Sequence, residues 1–106
     1  MSWSILEGKH QKEWEEFEIL RTRAWDVFEK KRQALYAAFG DRESNLFDSV
    51  HEELEHDRQK WQAIWGVDGE REKYLRELQH EERQELKKHL KQSILDQIRT
   101  AREQSK

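Results

Sequence analysis

The chain has 106 residues, 34% of them apolar and 41% charged, with a formal net charge of −3 and neither cysteine nor proline. This length allows one modest domain, the lack of cysteine removes disulfides and thiolate metal sites, and the slight acidic balance removes whole-molecule attraction to nucleic acid or anionic lipid. No apolar run approaches the ~18 residues of a membrane span and the start of the chain lacks the regions of a signal peptide, so a cytoplasmic location is expected.

High charge alone would place such a chain near the border of disorder. Five Trp, four Phe and two Tyr, regularly spaced, argue for order instead. Large residues return every eleven positions in two registers. One reads Trp3, Trp14, Trp25, Tyr36 and Phe47, and the other reads Leu6, Phe17, Phe28, Phe39, Val50 and Trp61. Eleven residues make about three helical turns, so both registers fall on one helix face.

In chain order, Ser2 or Ser4 can cap an early turn that Gly8 weakens, and a first helix is expected over about 9–39. Gly40 is read as its left-handed cap, with Asp41 or Ser44 capping the next helix. The eleven-residue phase runs on across this gap, but a single helix from 9 to 65 would leave its apolar stripe uncovered, so a break and a hairpin are expected. A second helix over about 44–65 carries Leu46, Phe47, Val50, Leu54, Trp61, Ile64 and Trp65 on one side. Gly66-Val67-Asp68-Gly69 marks a firmer break, with Asp68 able to cap a third helix over about 70–102.

The third helix differs in kind. Its apolar positions are Tyr74, Leu75, Leu78, Leu86, Leu90, Ile94, Leu95 and Ile98, interrupted by seven polar residues from Gln79 to Glu85. Acids dominate its first half and bases its last part, an order that complements the helix dipole. The expected architecture is all-α: a helical hairpin or three-helix arrangement with a long charged C-terminal helix, coiled-coil-like. Residues 1–66 form the aromatic hairpin and 67–106 the charged helix.

Candidate functional residues follow from this pattern. A third inward register holds His10, Arg21, Arg32, Glu43 and Leu54. Arg21 lies one turn from Phe17 and Trp25, and Arg32 one turn from Phe28 and Tyr36, where a guanidinium can stack on rings or reach acids on the second helix. Trp14, Phe17, Arg21, Trp25, Phe28 and Arg32 therefore form the expected interaction surface. Leu86, Leu90, Ile94 and Ile98 form the expected oligomer seam.

Catalytic and metal chemistry find little footing. The two histidines of His51-Glu52-Glu53-Leu54-Glu55-His56 point about 140° apart, unlike paired zinc ligands on one face. Glu53/His56, Glu7/His10 and Glu77/His80 have the Glu-x-x-His spacing of carboxylate-bridged metal bundles, but Glu53 and His56 lie away from the apolar face. No phosphate loop, nucleophile elbow or cysteine nucleophile occurs. No enzyme activity, catalytic residue, cofactor or metal is expected.

These features point to a non-enzymatic interaction protein that self-associates, a dimer being favoured, and binds a protein partner through the aromatic and arginine stripe. A nucleic-acid accessory protein using Arg21, Arg32 and the basic end of the third helix is an alternative. An acidic inhibitor of a basic partner is another, and a Glu-x-x-His carboxylate metal site is a minor one.

Overall fold

The computed structural model describes residues 1–40 and 45–105. It contains three helices, α1 (Trp3–Phe39), α2 (Phe47–Trp65) and α3 (Glu70–Gln104), and no strand among the described residues. The all-α reading holds. The molecule is a thin elongated body of 92 × 17 × 11 Å.

The first helix begins six residues earlier than expected. Ser2 caps it by accepting the Ile5 N–H at 3.2 Å, and Gly8 lies inside it. A side-chain cap plus the first turn's Trp3 and Leu6 outweighs the roughly 1 kcal/mol that a helical glycine costs relative to alanine. The break at Gly40 is present, but its backbone is not left-handed (φ −80°); its N–H closes the last turn onto the Tyr36 carbonyl at 2.9 Å. A Cβ there would collide with that same carbonyl. The expected caps Asp41 and Ser44, and Glu43 of the third register, lie outside the described residues. The second helix starts at Phe47 with Leu46 in the cap position.

The turn between α2 and α3 is tightly specified. Asp68, not a glycine, takes the left-handed conformation (φ 57°), one that Asp tolerates better than most residues. Gly69 occupies the cap position that Asp68 was expected to fill. A Cβ on Gly69 would meet the carbonyls of Gly66, Ile64 and Ala63 at 2.9–3.1 Å. The Glu72 carboxylate faces back toward the Asp68 N–H, and Arg76 joins Asp68 at 2.6 Å to Glu72 at 2.7 Å.

Packing makes α1 the spine. Phe17 meets Trp65, Trp25 meets Trp61, and Tyr36 meets Phe47, so α2 runs antiparallel along the second half of α1. Lys9 then meets Glu82 and Trp14 meets Gln79, so α3 continues antiparallel along the first half. Trp3 shares a groove with Leu90, Ile94 and Leu95. Beyond that point α3 runs on to Gln104, about 14 residues or ~21 Å of helix past the start of α1.

Two helices side by side bury little. Leu6, Phe17, Val50, Leu54 and Leu86 are the buried apolar side chains among the described residues. Electrostatics supports the layer at its margins: Lys31 on α1 donates to both Glu53 (2.9 Å) and Asp57 (2.5 Å) on α2. The ammonium holds the Asp57 carboxyl below its ordinary value, against a smaller opposing effect of burial. A depressed folded pKa adds stability above the unfolded value and loses it as pH falls through the folded one. Lowering the pH below about 4 should therefore lower the melting temperature, and Lys31→Met should flatten that decline. An unaltered acid limb in the variant would contradict the linkage.

Candidate functional site

Three zones of this body carry the residues singled out by sequence. The aromatic stripe lies between α1 and α2. Phe17 is buried, while Trp14, Arg21, Trp25 and Phe28 are half-buried and Arg32 is exposed. The rings form a ladder across the two helices: Trp25 lies 5.1 Å from Phe28 and 4.8 Å from Trp61 at 66°. Trp14 meets Phe17 edge-on at 5.5 Å, and Phe17 meets Trp65 at 5.9 Å. Edge-to-face geometry of this kind adds about 0.5–1.5 kcal/mol per pair beyond area burial.

The two arginines depart from both expected courses, stacking on the rings one turn away and reaching acids of α2. Arg21 lies 5.5 Å over Trp61 of α2 rather than over Phe17 or Trp25, and approaches Glu18 of its own helix at 3.5 Å. Arg32 donates to both oxygens of Glu29, one turn back. Neither arginine is paired with an acid of α2; Lys31 takes that role. The eleven-residue spacing sets Arg21 on the inward face, but the choice of ring depends on α2, which spacing within α1 cannot place.

The second zone is a polar layer between α1 and α3, where the run from Gln79 to Glu85 interrupts the leucine seam. Gln79 is the most buried of its residues, 1% exposed. Its oxygen accepts the Trp14 indole N–H at 2.9 Å and its nitrogen donates to the His10 carbonyl at 3.2 Å. His10, inward as its register implied, is 3% exposed. The Lys9 ammonium donates to Glu82 Oε2. That bond raises the Lys9 pKa and lowers that of Glu82, with burial opposing in both.

The third zone is the open seam of α3. Leu86 is buried and belongs to the layer within the chain. Leu90, Ile94, Leu95 and Ile98 are 38%, 57%, 46% and 44% exposed. Of the Glu-x-x-His pairs, Glu7 accepts the Trp3 indole N–H, Glu53 pairs with Lys31, and His56, Glu77 and His80 are exposed.

No protein-family model, curated protein or solved structure matches this chain. Among the described residues, no helix is long and apolar enough to cross a membrane.

The polar layer gives a direct test of the packing. Gln79→Ala removes the acceptor of a part-buried indole, and should lower unfolding free energy by about 1–3 kcal/mol with a shift in tryptophan emission. Stability within about 0.5 kcal/mol of the parent, the usual range for a surface change, would place Gln79 outside the layer.

Proposed function

We propose that this chain is a non-enzymatic assembly protein that self-associates through the open seam of α3 and meets a protein partner along the flanks of the aromatic stripe. One observation carries the first part: four aliphatic side chains at helical spacing lie exposed on a helix that has outrun its intramolecular cover. A second copy is the occupant that this seam suits best. A two-fold contact would set the same residues of each copy against one another and bury aliphatic area on both.

Charge around the seam makes the proposal specific. Lys87, Lys88, Lys91, Arg99 and Arg102 flank it, against Asp96 and Glu103. Two copies would bring like charges together, so association driven by apolar burial is opposed by electrostatics. Added salt screens that repulsion.

The partner-binding part rests on two grooves beside the stripe. Glu18, Arg21, Thr22, Trp25 and Trp61 line one; Phe28, Arg32, Tyr36 and Leu54 help to line the other. Each offers a ring face and a cation, a combination common in protein contacts. Nucleic-acid binding and acidic inhibition receive less support, because Arg32 is held by Glu29, Arg21 by Trp61 and Glu18, and three of the acids of α2 are engaged, Glu53 and Asp57 by Lys31 and Glu55 by Arg58. A cytoplasmic setting is part of the same proposal.

Leu90→Asp and Ile94→Asp should each lower the solution mass measured by light scattering while leaving most helicity by circular dichroism. Raising salt should strengthen association of the parent chain. A monomeric parent chain, or unchanged mass in both variants, would refute the seam. Self-association that weakens steeply with salt would contradict a seam held by apolar burial against like charges.

A further inference from the structure

His10, Glu13 and Glu82 form a cluster outside the surfaces assigned above. His10 and Glu13 are one turn apart on α1, hence on one face, and Glu82 reaches them from α3. A His10 ring nitrogen and one carboxylate oxygen from each acid lie within 4.8 Å of one another. These atoms are unusually placed for a protein interior. Both ring nitrogens of His10, Oε1 of Glu13 and Oε1 of Glu82 are buried without a hydrogen-bond partner. The contact of His10 Nε2 with Glu82 Oε1, at 3.5 Å, is too long to satisfy either atom.

Buried polar atoms are almost always paired, and orphans on three side chains whose donor atoms group together, one ring nitrogen of His10 among them, call for a common partner. We infer that this partner is a divalent transition-metal ion, held by one imidazole nitrogen and two carboxylate oxygens. An imidazole with two carboxylates is a donor set suited to zinc and its first-row neighbours. Bond lengths of about 2.0–2.2 Å require the donors to draw together by roughly an ångström, within reach of small side-chain rotations on fixed helices.

The surroundings are built accordingly. Lys9 binds Glu82 Oε2, leaving Oε1 for the cluster; supporting contacts of this kind orient metal-ligating carboxylates. Gln79 fixes the His10 backbone. Leu6 and Leu86 on one side and Phe17 on the other are buried apolar neighbours along the same layer. The two carboxylates and Lys9 together leave one negative charge beside the imidazole, which a dication reverses. The ion would bridge α1 to α3 and lock their register. This differs from the Glu-x-x-His pairs, since the order on α1 is His-x-x-Glu and the third donor comes from a helix seventy residues away in the chain.

The test uses tag-free, chelator-treated full chain titrated with Zn2+ alone by calorimetry, together with its melting temperature. The expected result is one ion per chain and a raised melting temperature. Glu13→Gln, Glu82→Gln and His10→Ala should each weaken binding by more than about tenfold, whereas His56→Ala, on the exposed side of α2, should leave it unchanged. Co2+ should give visible absorption that Glu82→Gln alters. Should His10→Ala fail to fold, the two near-isosteric Gln variants decide. No binding to the folded chain, or affinity unmoved in both Gln variants, would overturn the site.

Discussion

A body two helices thick can cover each side chain from one side only, and this constraint shapes everything else in the structure. The spine α1 spends the whole of one face on α2 and α3, which lie end to end along it. With so few fully buried aliphatic residues, large rings take their place. A tryptophan can press on a neighbour across the interface and still keep an edge in water, so five of them suit a layer that has no centre. Long cations finish the margins: Arg21 covers Trp61, and Arg71 covers Trp65 at 5.4 Å. Lysine and arginine stems provide cover where a third helix would otherwise be needed.

Much of this was legible in the sequence, for a definite reason. The eleven-residue registers are a property of one helix, and Leu54, Val50, Phe17 and Leu6 all fall on the buried face they defined. Gly66 to Gly69 marked a true break because two glycines close together cannot continue a helix cheaply. The hairpin was readable, but which side chains meet across the helices was not. Arg21 chose Trp61 over the rings beside it, and Gly40 ended α1 without a left-handed backbone, both outcomes of packing that spacing along one helix does not encode.

The polar run from Gln79 to Glu85 is the most informative case. As a sequence feature it was only a gap in the leucine seam. In three dimensions it faces His10, the one titratable member of the stripe's third register that is fully buried among the described residues. Two irregularities, one in each helix, are therefore a single polar layer. Its signal was available: an inward histidine in one helix and inward polar residues in its antiparallel partner at matching distance from the turn. Finding it required knowing that α3, and not α2, covers the first half of α1.

The same geometry explains why the end of α3 stands apart. Intramolecular cover ends near Leu90, where Trp3 closes the groove, yet aliphatic residues continue at helical spacing to Ile98. The central claim is that these residues are covered by a second copy. Hydrogen exchange followed by mass spectrometry across a concentration series tests it most directly. Amides of residues 91–104 should exchange quickly in dilute protein and gain protection as concentration rises, while those of α1 and α2 stay constant. Protection of 91–104 that does not depend on concentration would contradict the account.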